Sequence, residues 1–424
     1  PLFVEELTKM VLESGLLREA DGHYELTGPL PPLAIPSTLQ DSLMARLDRL
    51  ATVREIAQLG ATLGREFSYD LLHAVSPLDE GTLQQGLRQL VEAELLYQRG
   101  LPPQATYLFK HALIQDTAYQ ALLKSTRQQL HQQIAQVLEQ RFTEIVETHP
   151  ELLAHHYTEA SLLAQAIPYW QQAGQRASQR SANMEAVSQL MRGLELLKTL
   201  PDTPERAQQE LSLQLALGPL LMATKGYAAP EVEQAYNRAR ELCQQIGENP
   251  QLFRVLRGLW GLYMQQAELQ TARELSDQLL NLARSVQDAA LLLLAHYGRG
   301  CTLYYLGELA PSREHLEQGT TFYNPQQHHS LTFLYGGSEP GIACRTLTSV
   351  TLWLLGYPDQ ARRGMLEALN LAQQLPQPFN LAWVLSFVAR LHYLRREEQA
   401  VQERAEANIA LSTEQGFPYW SALG

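Results

Sequence analysis

The sequence holds little of what marks a secreted, metal-holding or membrane-spanning protein. Three cysteines occur in 424 residues, Cys243, Cys301 and Cys344. Each stands alone and none lies in a Cys-x-x-Cys spacing, so buried thiols are expected in place of a disulfide framework or a metal site. There is no Gly-x-x-x-x-Gly-Lys-[Ser/Thr] loop to cradle a phosphate and no His-Glu-x-x-His helix to hold a catalytic zinc. The adjacent pairs His155-His156 and His328-His329 read as packed and solvated histidines, because neighbouring side chains diverge on a helix. The longest apolar run, around Leu291 to Leu294, is far short of the roughly 20 residues that span a bilayer. No cleavable signal precedes it, so a cytoplasmic protein with no membrane partner is expected. Positive charge is scarce as well. The formal net charge is −12 and the basic residues are dispersed, which argues against direct contact with nucleic acid.

What the chain has in quantity is helical periodicity with small residues at fixed spacing. A helix-turn-helix frame of roughly 40 residues recurs about six times. Its clearest copy runs Trp170, Gly174, Ala177, Ala186, Leu190, Gly193. The spacing puts a large residue and then a small one on the first helix, and a small-large-small stripe on the second, where the helices cross closely. The second-helix stripe returns as Val232, Tyr236, Ala239; as Ala272, Ser276, Leu279; as Ser312, Leu316, Gly319; as Ala361, Met365, Ala368; and less cleanly as Ala400 with Ala407. One such pair cannot bury its own apolar face, so stacked neighbours supply the core and a tetratricopeptide-like solenoid follows. A solenoid offers a surface for binding. Its aromatics, Trp170, Tyr236, Trp260, Tyr263, Trp353 and Trp383, are expected to pack between helices, leaving recognition to polar groove residues.

Ahead of the repeats the pattern changes. Phe3, Leu7, Met10 and Val11 keep helical spacing up to Gly15, and a proline-rich connector with Pro29, Pro31, Pro32 and Pro36 follows. Ser37-Thr38-Leu39-Gln40 then offers a capping box for a helix with Leu39, Leu43, Leu47 and Leu50 on one face. Further helices are predicted at about 52–60, 69–75 and 79–93. At 95–99 and 105–109 the period becomes that of a strand, on either side of Gly100, Pro102 and Pro103. Three short helices closed by a hairpin predict a winged helix, and a continuous helical stretch is predicted from His111 to about Phe142. The expected fold is therefore mostly α: a winged-helix domain with a small β-hairpin, then the α-α superhelical solenoid. The expected domains are an end piece with its connector at 1–36, the winged helix at 37–125, a helical arm at 126–160 and the solenoid at 161–424. Two loops interrupt the solenoid, Pro201 to Pro204 and Asn324 to Gly341, and the second is long enough to be a functional loop. The chain opens at Pro1 without an initiator Met and closes at Gly424 inside what reads as a repeat, so both ends are expected to continue into a longer protein.

His111 stands where the hairpin ends and a helix begins. By periodicity it reads as a structural or helix-capping histidine. The candidate recognition helix from Asp79 to Ala93 carries Arg88 as its only basic residue, which favours packing over docking in a DNA groove.

Several segments resemble the signal-transduction ATPases with numerous domains, the STAND class, in its bacterial predicted-ATPase branch. Pro1-Leu2-Phe3-Val4-Glu5-Glu6 is similar to the tail of the Gly-x-Pro motif that closes the lid of those ATPases. Ile35-Pro36-Ser37-Thr38-Leu39-Gln40 with Ala45-Arg46-Leu47-Asp48, and Phe109-Lys110-His111 through Asp116-Thr117-Ala118-Tyr119, resemble the segments that follow it. In the solenoid, Gly226 to Val232 and Leu355 to Ala361 match too. The resemblance implies that residues 1–36 end an ATPase lid. It implies that Pro1 lies against adenine and that His111 reaches the β-phosphate of ADP, with Lys110 and Ala112 in place of the usual flanking Met and Asp. ATP or ADP with Mg would be held by an upstream domain, so this stretch would not itself hydrolyse ATP. A class III adenylate/guanylate cyclase or kinase domain is the implied effector, an ATP-dependent homo-oligomer the implied assembly, and a protein or small-molecule inducer on the solenoid the implied partner. The expected function is thus the sensor half of a signal-transduction ATPase. The alternatives are a nucleotide-independent interaction scaffold and part of a transcription activator whose DNA-binding domain lies elsewhere.

Overall fold

The chain divides into two units, Pro1–Trp170 and Gln171–Gly424. The computed structural model describes residues 17–20, 23–26, 53–180, 182–226, 228–247, 251–328, 338–375 and 377–424. Pro1, the helix expected from Phe3 and the capped helix expected from Ser37 lie outside the described residues. Strands β1 (Leu17–Ala20) and β2 (His23–Leu26) pair antiparallel with Leu17 opposite Leu26. Periodicity did not point to this hairpin, although Asp21-Gly22 between the two runs is a recognised two-residue hairpin signal.

From Arg54 the first unit runs α1 (Arg54–Leu63), β3 (Glu66–Ser68), α2 (Tyr69–Val75), α3 (Glu80–Glu92), β4 (Leu96–Arg99) and β5 (Thr106–Phe109). Both α2 and α3 start where a short polar side chain satisfies a free backbone donor: Ser68 Oγ accepts from Leu71 N–H at 3.2 Å, and Asp79 Oδ1 accepts from Thr82 N–H at 3.0 Å. Their apolar faces meet α1 over Ile56, Leu72, Leu83, Leu87 and Leu90, all nearly sealed from solvent. The expected β4–β5 hairpin forms. It gains a third strand, because β3 pairs with β5 and the sheet order is β3-β5-β4. Three residues are too few to display a period, so this strand left no sequence signal.

The single helix expected from His111 to Phe142 is two. α4 (Ala112–Gln120) ends, and α5 (Lys124–Arg141) starts after Leu123, whose backbone is extended at φ −61° and ψ 147°. The break lets the end of α4 fold against α5, where the Tyr119 hydroxyl meets His131 Nε2 at 2.9 Å. Two short helices follow, α6 (Thr143–Thr148) and α7 (Pro150–Glu159), the second opened by Pro150 at a position that needs no N–H.

Helix α8 (Leu163–Gln179) crosses from one unit to the other, and the second unit is a tetratricopeptide-like solenoid of antiparallel helix pairs. Gly174 of α8 lies against Leu190 of α9 (Asn183–Leu197), α10 (Pro204–Lys225) pairs with α11 (Pro230–Ile246), and α12 (Leu252–Gln265) with α13 (Leu269–Val286). Then come α14 (Ala289–Tyr305) with α15 (Leu309–Thr321), the short α16 (Pro325–His328), α17 (Pro340–Leu354) with α18 (Pro358–Gln374), α19 (Pro378–Leu394) with α20 (Glu398–Glu414), and α21 (Pro418–Leu423). Each small-large-small stripe read from the sequence falls on the second helix of a pair.

The stripes close because a large residue of one helix presses on a glycine of another. A Cβ on Gly174 would stand 2.6 Å from Leu190 Cγ, and one on Gly300 would stand 2.6 Å from Leu316 Cγ. Tyr236 does this twice, its ring lying against both Gly218 of α10 and Gly258 of α12. Gly258→Ala is therefore expected to overpack the core and destabilise the larger unit by about 1–3 kcal/mol. Gly261→Ala on the same helix meets only ordinary contacts, the nearest being Arg257 Nη1 at 3.5 Å. It should be neutral, or stabilising by up to about 1 kcal/mol through helix propensity. Urea unfolding followed by tryptophan fluorescence checks both, and equal midpoints for the two variants would contradict this account of the packing.

Candidate functional site

His111 is fixed by its backbone. Phe109 N–H bonds to Arg65 carbonyl at 3.0 Å, Lys110 N–H to Leu95 carbonyl at 3.0 Å, and Ile114 N–H to His111 carbonyl at 3.1 Å. These bonds hold the residue between β5 and α4 with φ −132° and ψ 146°. Its side chain does not cap the helix. The ring nitrogen Nε2 is buried and has no hydrogen-bond partner, so the capping role that periodicity suggested is not filled. An unpaired buried donor or acceptor costs about 1–3 kcal/mol, which makes this atom a candidate contact for a group outside the chain. Beside it Lys110 Nζ pairs with Glu94 Oε2 at 2.9 Å. Pro1, the other residue singled out, lies outside the described residues.

A second cluster, legible only in part, sits on α5 and α7. His131 and His156 are both nearly sealed from solvent, and their Nδ1 atoms are 2.8 Å apart. Such a contact needs one nitrogen to donate and the other to accept. With Tyr119 it forms a chain, hydroxyl to His131 Nε2 and His131 Nδ1 to His156 Nδ1. His155, exposed, stands edge-on to His131 with ring centroids 5.7 Å apart. Burial, with the charges of His155 and Arg127 behind it, brings His131 down to about 4. His156 is held well below its ordinary value by burial first and by the neighbouring histidines second. The sequence marked His155-His156 as packed, but His131 carries no local signal. Among the described residues no group of three or more His, Cys, Asp or Glu is arranged to hold a metal ion.

The larger unit holds a groove of ≈ 560 Å³ lined by first helices α12, α14 and α19 together with α20 and α21. Its walls are aromatic. Trp383 meets Phe387 at a tilt and Trp420 edge-on, with ring centroids 4.9 and 5.2 Å apart, and Tyr297 meets Trp260 edge-on at 5.7 Å. Two arginines enter it, Arg257 with Cζ 4.3 Å from the Trp260 ring centroid and Arg390 with Cζ 5.8 Å from that of Tyr304. Tyr419 hydroxyl approaches Gln265 Oε1 at 3.5 Å across one edge. The expectation that solenoid aromatics serve the core holds for Tyr236. Trp260 and Trp383 line the groove as well, so the groove is more aromatic than expected. The sequence signal was the spacing Arg257, Trp260 and Trp383, Phe387, Arg390, which places each set along one helix face.

The loop from Asn324 to Gly341 is described only at its ends. Glu339 is buried at the start of α17, its N–H bonded to Asn380 Oδ1 at 2.8 Å, and burial pushes its carboxyl up to about 7. The three cysteines are free and buried, and burial pushes Cys301 up to about 12. No helix among the described residues is long and apolar enough to cross a membrane.

No protein-family model matches the chain. An uncharacterized protein of Rhizobium meliloti (strain 1021) is 25% identical over 359 residues, 84% of this chain and 34% of the relative. The chain thus spans about a third of the length of the curated relative it matches. Among solved structures, a STAND protein with a tetratricopeptide repeat sensor from Pyrococcus horikoshii aligns over 92% of this chain and 68% of its own, with TM-score 0.42 and 10% identity. The apo form of the quorum sensor NprR from B. thuringiensis aligns over 91% and 97%, with TM-score 0.42 and 10% identity. The apo form of RapI aligns over 90% and 94%, with TM-score 0.44 and 13% identity. Likenesses of this size carry no property of those proteins to this chain.

The histidine pair makes a pH prediction. Folded His131 binds its proton with a pKa of about 4, against an ordinary 6.5, so acidification from pH 7 to pH 5 favours the unfolded state, which takes up the proton. The loss is on the order of 2 kcal/mol from this residue at pH 5. His131→Gln, which cannot titrate, should flatten that dependence. Hydrogen exchange of α5 and α7 at both pH values, corrected for intrinsic rates, reads it directly, and an unchanged pH dependence in the variant would count against the neutral pair.

Proposed function

We infer that this chain is the sensor and coupling part of a signal-transduction ATPase. In this reading the solenoid binds an inducer, and the first unit passes that event to the nucleotide state of an ATPase domain upstream of Pro1. The observation that carries the reading is His111 Nε2, buried and unpartnered at the exit of the hairpin. It is supported by the sequence resemblance around Phe109-Lys110-His111 and by the element order α1-β3-α2-α3-β4-β5, which suits a winged helix.

An adenine nucleotide with Mg, held by the upstream domain, would supply a phosphate acceptor. A histidine N–H offered to it makes a charge-assisted hydrogen bond worth about 1.5–3 kcal/mol. If only the closed state makes that bond, the closed state is favoured about 10- to 100-fold. The backbone bonds accepted by the Arg65 and Leu95 carbonyls would position the ring, and α4, which begins just after His111, would carry its movement toward Tyr119 and α5. Pro1 would lie against adenine. The effector that such a switch controls, a cyclase or kinase domain, would lie upstream as well. Docking of α3 in a DNA groove has little to support it, since the helix is flanked by Asp79 and Glu80 and carries one arginine.

In the full-length protein, His111→Ala is expected to weaken ADP binding about 10-fold or more with ATP binding less affected. Titration of both nucleotides by calorimetry measures it. Unchanged ADP affinity would overturn the coupling and leave the nucleotide-independent scaffold as the better description.

A further inference from the structure

The groove of the larger unit combines cationic charge and aromatic surface in a chain whose net charge is −12. The charged side chains in its lining are those of Arg257 and Arg390, and no carboxylate side chain lines it. Several arginines elsewhere in the solenoid are paired: Arg238 with Glu210 at 2.6 Å, Arg273 with Glu308 at 2.6 Å, Arg299 with Asp277 at 3.1 Å. The second cleft of the unit, around Arg206, Glu210 and Arg238, is neutralised in this way. Arg257 instead lies over the rings of Trp260 and Tyr297, and Arg390, which is exposed, lies beside Tyr304 and shares a side-chain hydrogen bond with it. A guanidinium on a ring uses its face, and its edge donors stay available for an anion.

Two further donors are stranded there. Arg257 Nε and Trp383 Nε1 are buried without an acceptor. Burial keeps the phenol of Tyr297 protonated, so it adds no negative charge. Tyr393 is 70% exposed and Tyr419 44% exposed, which is apolar surface that a bound molecule would cover. The volume of ≈ 560 Å³ matches small-molecule sites and is too small for a folded partner.

We propose that this groove binds a small aromatic carboxylic acid, its carboxylate balanced by Arg257 and Arg390 and its ring body covered by Trp260, Trp383 and Tyr393. The assignment rests on the solenoid being the ligand-binding part of the chain, and it is independent of nucleotide coupling through His111. The stranded Trp383 N–H supplies a direction as well as an affinity, because a ligand oxygen placed there leaves the ring body toward Tyr393 and the open side.

The test is calorimetric titration of the chain with indole-3-acetate, 1-naphthylacetate and 3-phenylpropionate, each beside its neutral primary amide. At least one acid is expected to bind about 10-fold or more tightly than its amide, the size of one charge-assisted contact. Arg257→Gln and Arg390→Gln should each remove most of that preference while leaving the amide unchanged, and Arg390→Lys should restore part of it. Circular dichroism confirms that the variants fold. Equal affinities for acid and amide, no binding by any pair, or full acid preference in both glutamine variants would overturn the proposal. Those outcomes leave the nucleotide titration of His111→Ala untouched, since no nucleotide is present, and failure of that titration leaves the acid preference untouched.

Discussion

Two helices with apolar faces pack well only if their backbones come close, and in the larger unit closeness is set by large side chains seated on glycines. Tyr236 shows how much depends on it. Its ring occupies space that a Cβ on Gly218 or on Gly258 would claim, and those glycines belong to successive first helices, α10 and α12. One ring therefore closes its own pair and seats the next pair on it. Contacts within a repeat and between repeats become a single packing problem, which is the physical content of nearest-neighbour coupling in a solenoid. The groove inherits its geometry from this, because α12 also carries Arg257 and Trp260.

Polar groups are buried in this protein by two different routes. His131 and His156 enter the first unit neutral, sharing one proton between their Nδ1 atoms, and the Tyr119 hydroxyl extends the chain while His156 Nε2 is left without a partner. A similar pair joins His296 and His315 in the larger unit, where Nδ1 atoms are 3.1 Å apart and burial brings His296 down to about 4. Arginines cannot discard their charge, and several are paired with carboxylates. In the groove Arg257 lies over the rings of Trp260 and Tyr297, a weaker arrangement that leaves its Nε without a partner.

Much of this was legible in the sequence, for a physical reason. A stripe such as Ser312, Leu316, Gly319 is local: its members share one helix face whatever the rest of the chain does, and Ser312 duly reaches Gly300 carbonyl at 2.7 Å. Residues 69–75 and 95–109 likewise carried their own period. What escaped was non-local or too short. Strand β3 is three residues paired to a partner forty positions on, the turn at Ala121–Leu123 lies between two runs that each look helical, and His131 gains its meaning only from α4 and α7. The groove was half legible. Arg257 and Trp260 are neighbours on one helix, but nothing local says that Trp383 and Trp420 will face them. His111 could be picked out, yet the isolation of its ring nitrogen could not.

The approach of Tyr419 to Gln265 brings together side chains 154 positions apart. Between them lie α13 to α20, each stacked on the last, so the gap at that edge is the accumulated result of several small rotations. A chain built this way acts as a caliper. Spreading or closing the jaws by a fraction of an ångström distributes a slight twist over every pair in between, and a twist applied to any one of those pairs is read out, enlarged, at the jaws.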